Sequence, residues 1–373
     1  MNRLVILGNG FDLAHGLPTS YNHFLSWYWK KVNAIAWDGN AFVYEDDFIS
    51  AKSWSEVPDC LSLADFEKIF NNGENGKHYS YKNAFFIQIC QIQNFQNWVD
   101  IEEYYKLQLS AAFHQSTNRE KQIKTLNEQF GKVRELFGEY LNEVIPNFES
   151  ENLYQIGMNH ILNNWVEGLS FTSAFSESVP HHLKDIEEFQ ELMAGKRYKE
   201  DDGRTMVLNF NYTDTVRQYI RESSKVAVNY IHGHRAHENY PIVFGYGDES
   251  DELFPKLEVA NENSYLQFTK SASYLTTSNY TNLMNFVESK PFFVQVLGHS
   301  MAISDRTLLK TIFEHDNCKY IFMFYHERVD GTTDFFDKSA NIARHFSDKK
   351  MLRKKVAPKV FCCRLPQKVS NVQ

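Results

Sequence analysis

The sequence predicts an α/β protein in which a doubly wound, mostly parallel sheet carries a mainly helical insertion after its first βα unit. Three observations lead to this fold class. An apolar run at residues 4–7 ends in two glycines one residue apart, Gly8 and Gly10, which is typical of a buried parallel strand that opens into a ligand-binding turn. Strand-length apolar runs alternate with amphipathic segments after residue 204. Residues 33–164, between these two parts, have a largely helical pattern.

The first turn leads into a helix that we expect at residues 20–31, with Thr19 or Ser20 as its N-cap and Phe24, Leu25 and Tyr28 on its inner face. The insertion opens with mixed acidic and aromatic residues at 37–74, and after residue 118 it carries apolar residues at helical spacing. These are Ile123, Leu126, Phe130, Val133, Leu136, Phe137, Tyr140, Leu141 and Val144. They predict one long amphipathic helix with a packing face.

The α/β pattern returns in the second half of the chain. Strands are expected at residues 205–210, 226–231, 241–244, 292–297 and 319–325, and helices at 213–222, 305–314 and 335–345. We divide the chain into an α/β core at 1–32 and 165–348, the insertion at 33–164, and a basic C-terminal tail at 349–373. The charged run at 349–355 is interpreted as a solvated end.

Composition narrows the classes of function. The chain has 373 residues, 43% of them hydrophobic, and a formal net charge of -8, which argues against a nucleic-acid partner. Five irregularly spaced cysteines indicate reduced thiols and a cytoplasmic location. We find neither a signal-peptide pattern nor an apolar run long enough to cross a membrane, and therefore expect a soluble protein. Formation of a homo-oligomer stays open.

Polar or glycine-rich motifs follow several of the predicted strands. They are Gly8-Asn9-Gly10, Asn211-Tyr212-Thr213, His232-Gly233, Phe244-Gly245 and Gly298-His299-Ser300. Each alone has a structural explanation, since glycine ends strands and asparagine caps helices. Because the carboxyl ends of parallel strands meet at one edge of a sheet, together they predict a ligand-binding cleft.

The order of these motifs resembles the sirtuin superfamily. Gly8-x-Gly10 with a later Gly16-Leu17-Pro18 is similar to that family's glycine-alanine-glycine loop. The segment around Asn211 resembles its threonine-glutamine-asparagine strand end, and His232-Gly233 its histidine-glycine pair. The segments at 243–245 and 298–300 resemble its phenylalanine-glycine strand and the glycine-threonine-serine turn that holds NAD. This resemblance implies a Rossmann-type, nucleotide-binding core.

A second resemblance covers nearly the whole chain except the middle of the insertion. The opening Leu-Gly-Asn-Gly-Phe-Asp-Leu-Ala-His-Gly-Leu-Pro-Thr-Ser-Tyr, with Asn-Phe-Asn-Tyr-Thr at 209–213 and Ile-His-Gly at 231–233, is similar to the AbiH family of bacterial abortive-infection proteins. It implies an antiphage role, with a phage or host protein as the trigger.

The chain also departs from the sirtuin pattern. The short loop at 233–243 has no cysteine where sirtuin deacylases carry a four-cysteine zinc module, so we expect no metal. A zinc site formed by His232, His234 and His237 is conceivable but disfavoured, because the loop offers only Glu238 as a supporting partner. Asn9, Asp12 and Thr213 replace family residues, which disfavours peptide deacylation.

The chemistry that the resemblance implies is cleavage of NAD between nicotinamide and ribose. His232 is the candidate base and Asn211 the candidate that positions water or carboxamide. The residues assigned to nucleotide binding are Gly8, Asn9, Gly10, Phe11, Asp12, Thr213, Gly245, Gly298 and Ser300. Amides of Gly8 and Gly10 and the Ser300 hydroxyl would hold diphosphate and ribose, whereas Asp12 would contact the ribose or repel phosphate.

Structural roles compete with these assignments. His232 could serve only as a hydrogen-bonded buried residue, and Asn211 only as a helix cap. The other histidines of these motifs, His15, His234, His237 and His299, are interpreted mainly as loop residues. Asp305 and Asp316 are interpreted as solvated charges at helix ends.

Two functions therefore remain in competition. The first is an antiphage NAD glycohydrolase that depletes the nucleotide in the infected cell. The second is a non-catalytic nucleotide sensor whose insertion docks a partner. A nuclease is the weakest hypothesis, since only the basic tail supports it.

Overall fold

A computed structural model describes residues 1–33, 42–53, 62–70, 79–92, 98–115, 117–149, 155–163, 180–184, 203–220 and 226–367. The strands are β1 (Asn2–Leu7), β2 (Phe42–Glu45), β3 (Ile49–Ser53), β4 (Tyr79–Tyr81), β5 (Thr205–Asn209), β6 (Val226–Tyr230), β7 (Phe292–Leu297) and β8 (Cys318–Phe324). The α-helices are α1 (Asn9–Ala14), α2 (Tyr21–Asn33), α3 (Leu63–Phe70), α4 (Ala84–Gln91), α5 (Trp98–Phe113), α6 (Arg119–Glu149), α7 (Ile156–Asn163), α8 (His181–Lys184), α9 (Phe254–Val259), α10 (Lys270–Tyr274), α11 (Asn279–Ser289), α12 (Arg306–Glu314), α13 (Phe335–Arg344) and α14 (Lys349–Lys355).

Five strands form one parallel sheet in the order β6-β5-β1-β7-β8. Successive side chains of β1 enter two different apolar clusters: Leu4 and Ile6 pack on one face, and Val5 and Leu7 on the other. Helices contribute to both clusters, so the sheet is covered on both sides, as its continuous apolar strands predict. The predicted α/β fold is confirmed at this level, and the strand order is Rossmann-like.

Most predicted elements of the core are confirmed. The strand at 292–297 agrees with β7 in full, and those at 205–210, 226–231 and 319–325 agree within one residue at each end. Ser20 caps α2 by accepting a hydrogen bond from the His23 amide at 3.3 Å. The helices expected at 305–314 and 335–345 are α12 and α13.

Two local predictions are wrong. Residues 241–244 do not form a strand, because Pro241 has no N–H and, of their amides, only that of Val243 donates to the neighbouring segment, at His232 O. In place of the helix expected at 213–222, whose last two residues lie outside the described part of the chain, there is a short 3₁₀ helix at Thr215–Tyr219. The loop before it is held instead by the Asn209 side chain, which bonds to the amide of Asn211 and the carbonyl of Thr213.

The insertion contains more than helices. Strands β2, β3 and β4 form a small antiparallel sheet within it, which the helical interpretation missed. The long helix predicted after residue 118 is confirmed as α6, and its buried stripe packs in a large aromatic cluster. That cluster also contains Phe244, Tyr246 and Phe268 from beyond β6, so the insertion and the later chain share one apolar core.

The segment at 349–355 is an ordered helix whose basic side chains are exposed, as expected of a solvated segment, except for Lys355. It forms α14, where the buried Lys355 donates from Nζ to the carbonyls of Phe313 and His315. The chain then returns to the sheet, and single bridges join Val356 to Ile321 and Arg364 to Tyr325. Across the described residues, no helix combines the length and apolar character needed to span a bilayer.

Candidate functional site

A cavity of about 770 Å³ lies where the strand order reverses, beyond the carboxyl ends of β1 and β7. Its walls include the turns after these strands, the strand-end residues Asn211 and His232, and side chains of α5, α6 and α13. Of the residues predicted from sequence, the lining includes Gly8, Asn9, Gly10, Asp12, Asn211, Thr213, His232, Gly298 and Ser300. The volume lies in the range of small-molecule sites.

The glycines after β1 allow the turn after β1 to contact the turn after β7. A Cβ on Gly8 would lie 2.5 Å from His299 Cα, and one on Gly10 would lie 2.7 Å from Gly298 O. The amide of Gly8 donates to Leu297 O at 3.1 Å, and that of Gly10 to Gly298 O at 2.9 Å. Both amides are therefore engaged within the protein, so the diphosphate contacts expected of them would need other donors.

The turn after β7 offers such donors. Side chains of α13 hold two successive carbonyls of this turn: Lys338 donates to His299 O and Asn341 to Ser300 O, each at 2.9 Å. His345, the C-cap of α13, donates to the next carbonyl, Met301 O, at 2.8 Å. Because carbonyl and amide point in opposite directions across a peptide plane, the amides of residues 299 and 300 point away from Gly10 and from Lys338. Neither amide has a hydrogen-bond partner in the described parts of the chain.

Asp305 connects the two histidines of the cavity. Its Oδ1 lies 3.1 Å from His232 Nε2, and its Oδ2 lies 3.6 Å from His299 Nε2. His299 Nδ1 accepts the Met301 amide at 2.9 Å, which places the His299 proton on Nε2, toward Asp305. The hydroxyl of Tyr274 lies 3.4 Å from His232 Nε2. All these side chains are buried.

A buried lysine neutralises the carboxylates behind His232. Lys270 Nζ lies 2.8 Å from Asp305 Oδ1 and 2.9 Å from Glu102 Oε2. Glu102 Oε1 accepts the Gly245 amide at 3.1 Å. One ammonium thus serves two carboxylates, one from the insertion and one from the core, which limits the large cost of burying these charges.

Burial and these charges set the protonation states. Burial, with the charge of Lys270, lowers the pKa of His232 to about 4, so its imidazole is neutral at pH 7. Burial would raise the pKa of Asp305, but Lys270 and His232 outweigh it and hold that pKa well below its usual range. Burial raises the pKa of Glu102 to about 7, although Lys270 opposes the shift. Ionised Asp305 keeps the His232 proton on Nε2 and leaves Nδ1 as the basic nitrogen.

Asn211 donates from Nδ2 to Gly8 O at 3.1 Å, which ties the end of β5 to the β1 turn. Asn211 therefore holds the turn as well as lining the cavity. Thr213 Oγ1 donates to Asp12 Oδ2 at 2.6 Å and receives the Thr215 hydroxyl at 3.1 Å. Both buried side chains face the cavity within this hydroxyl–carboxylate network.

Some predicted site residues lie elsewhere. Phe11 is fully buried against His15 and Tyr219 and is absent from the lining of the cavity. His15 donates from Nδ1 to Phe11 O at 2.7 Å and accepts the Tyr219 hydroxyl at Nε2, 2.6 Å away, which is a structural role. Gly245 lies behind the lining, where its amide supports Glu102.

The histidines after β6 also separate. His234 pairs with Asp214, 3.1 Å away and outside the cavity, whereas His237 is exposed. The searched part of the chain, which is the described residues, holds no cluster of histidine, cysteine and carboxylate side chains suited to a metal ion.

Sequence reasoning did not find Lys270 and Glu102, and it interpreted two further residues of the site, Asp305 and His299, as a solvated helix-end charge and mainly a loop residue. Asp305 precedes α12 as a helix-end charge would, yet the 3₁₀ turn Ile303–Asp305 directs it inward, where it is 5% exposed. No local pattern separates Glu102 from its neighbour Glu103 in α5. The Gly-His-Ser motif did place His299 at a strand end, which was the one available signal.

The family model described as bacteriophage abortive infection AbiH matches residues 4–326. The match spans most of the chain, from β1 through the insertion to the end of β8, and includes every charged residue of the His232 cluster. No curated protein and no solved structure matches the chain significantly.

Proposed function

The chain belongs to the AbiH family of bacteriophage abortive infection proteins, and from this premise we propose that it acts against phage by binding and hydrolysing NAD or a related nucleotide. The family indicates the antiphage role. The nucleotide and its hydrolysis are inferred from the cavity and from the sirtuin-like order of the motifs that line it. Loss of NAD would stop metabolism in the infected cell and so limit phage production.

One observation carries the proposal. A neutral imidazole with one nitrogen held by a buried carboxylate lies at the switch point of a Rossmann-like sheet, in a cavity large enough for a nucleotide. A carboxylate that orients an imidazole and fixes its tautomer is a recurring arrangement for a general base. The amides of residues 299 and 300, which have no hydrogen-bond partner among the described residues, are the candidate donors to phosphate.

The reaction is a hydrolysis that needs little acid catalysis. As the bond from ribose C1′ to the nicotinamide nitrogen breaks, its electron pair stays on that nitrogen and nicotinamide leaves uncharged. A water oxygen bonds to C1′, and His232 Nδ1 takes the water proton while Asp305 stabilises the imidazolium that forms. Asn211, held against Gly8 O, directs its free amide oxygen or remaining N–H toward the water or the carboxamide.

The test measures nicotinamide release from NAD by the purified protein, alone and with extract from phage-infected cells. Wild type is expected to release nicotinamide in at least one condition. His232→Gln, which cannot accept the proton, is expected to reduce the rate about 100-fold, and Asn211→Ala about 10-fold. His234→Gln is the matched control, because it alters a histidine two positions away that pairs with Asp214 outside the cavity.

Equal rates for wild type and His232→Gln would contradict the assignment of the base. Calorimetry with ADP-ribose tests the competing function, that of a non-catalytic nucleotide sensor. Binding of ADP-ribose without nicotinamide release in either condition would favour a nucleotide sensor, and absence of both binding and release would contradict a nucleotide site.

A further inference from the structure

Glu102 is the residue by which the insertion reaches the Asp305–His232 pair. It lies in the first half of α5 and is 5% exposed. Its two oxygens have different partners: Oε1 accepts the amide of Gly245, and Oε2 accepts Lys270 Nζ at 2.9 Å. Lys270 Nζ then contacts Asp305 Oδ1 at 2.8 Å, the same oxygen that lies 3.1 Å from His232 Nε2. Three short contacts thus join an insertion helix to the candidate base.

We propose that Glu102 is a positioning residue for the hydrolysis, because its carboxylate fixes Lys270 and so sets the charge balance at the Asp305 oxygen that holds His232. This inference rests on the proposed function. Lys270 is 1% exposed, so its ammonium cannot exchange a lost carboxylate for water without a large rearrangement. When Glu102 is charged, Lys270 is shared; when Glu102 is neutral, Lys270 acts on Asp305 alone and weakens its bond to the imidazole.

Few charged groups lie near the series of contacts from Glu102 to His232. Glu102 faces Lys270 and Asp305, with the phenols of Tyr212 and Tyr274 nearby, and both phenol pKa values are raised by burial. His232 faces Lys270, Asp305, His299 and Tyr274. The Glu102 carboxyl has a pKa of about 7 and the His232 imidazole one of about 4. Because these two protonation steps are well separated in pH, both can be followed through the imidazole ring of His232.

The experiment records the ring ¹³C shift of His232 in histidine-labelled full-length protein from about pH 3 to about pH 9, so that both expected steps lie in the range, and the signal is assigned by its loss in His232→Gln. Wild type is expected to show a step near pH 7, from Glu102, and a second near pH 4, from its own protonation. Glu102→Gln, of the same shape, is expected to lose the upper step. Lys106→Gln, one turn further along α5, removes the 2.6 Å pair with Asp251 and is expected to keep both steps.

Superimposable titrations of wild type and Glu102→Gln would overturn the inference. If Glu102→Gln does not fold, the double variant with Glu102→Gln and Lys270→Met is used. It removes both charges of the buried pair, and its titration then tests the coupling to His232. It should lose the upper step and move the lower step to higher pH, because Lys270 lowers the pKa of His232. A lower step that stays in place would equally overturn the coupling.

Nicotinamide release separates this inference from the function on which it rests. If wild type hydrolyses NAD, Glu102→Gln is expected to reduce kcat about 10-fold and to change KM by less than about threefold, since Glu102 acts on His232 through Lys270 and Asp305 and glutamine keeps its shape. An unchanged kcat would overturn the positioning role. If wild type shows both titration steps but releases no nicotinamide, the charge coupling stands and the proposed hydrolysis fails.

Discussion

Burial sets the protonation of two histidines, His232 in the cavity lining and His345 behind the turn after β7. His232 and His345 both have their pKa lowered to about 4, with burial as the largest cause in each. For His232 a carboxylate is in contact, yet its influence does not restore the ordinary value, because Lys270 opposes it. His345 instead bonds to a backbone carbonyl, that of Met301. Burial thus keeps both His232 and His345 neutral at pH 7, although their immediate partners differ.

The buried His345 predicts a pH dependence of stability. Its folded pKa of about 4 lies below the unfolded value, so protons bind preferentially to the unfolded chain, and stability falls as pH decreases from about 6.5 toward 4. Between pH 7 and 5 this amounts to about 2 kcal/mol. In His345→Gln the decline in unfolding free energy, measured by urea denaturation, is expected to be smaller by that amount. The exposed His237→Gln is the control, and an equal decline in His345→Gln and wild type would contradict the prediction.

At the scale of elements, the site depends on two turns that touch through their backbones. Gly298 has φ +70°, and a Cβ there would lie 2.0 Å from the Phe11 nitrogen. This position combines a left-handed backbone with a direct clash, so only glycine lets the β1 and β7 turns approach. Gly331 has a similar φ of +81°, but a Cβ there would meet nothing within 4 Å.

These two glycines make a matched pair. Gly331→Ala is expected to lower the free energy of unfolding by about 1 kcal/mol, the cost of the backbone conformation alone. Gly298→Ala adds the clash with the β1 turn and is expected to cost at least about 3 kcal/mol. Urea unfolding of both variants measures the difference. Equal losses would show that the contact between the two turns is not needed for stability.

The elements that sequence predicts well are those whose environment is uniform. Residues 292–297 are apolar except for Gln295 because β7 is buried on both faces, so its ends are visible in the sequence. Residues 241–244 have the same apolar character, yet no neighbouring strand pairs with them, and local composition does not report the absence of a partner. Asp305 shows the same limit at a helix start: a solvated and a buried carboxylate there have the same sequence.

At the scale of the whole molecule, the cavity is enclosed by parts of the chain that are far apart in sequence. Glu102 and Lys270 are separated by 168 positions and Asp12 and Thr213 by 201, yet each pair is in hydrogen-bond contact. The sequence predicted the sheet edge, since parallel strands bring their ends together, but not the wall from the insertion. That wall depends on which face of α5 and α6 meets the core, and this is decided by packing in the shared aromatic cluster.

A nucleotide in this cavity should therefore protect both the insertion and the edge of the sheet from hydrogen exchange. Trp98, Val99 and Glu102 of α5 line the same space as the turn at 298–300, so a bound ligand restrains the insertion and the sheet edge together. Exchange with and without ADP-ribose, followed by mass spectrometry, is expected to slow in peptides covering 98–105 and 298–304 by about tenfold. Peptides of α11, which packs on β6 and contributes no residue to the cavity lining, serve as the internal control. Protection confined to the turns would mean that the insertion does not close on the ligand, and it would remove the physical basis for coupling a signal received by the insertion to the chemistry at His232.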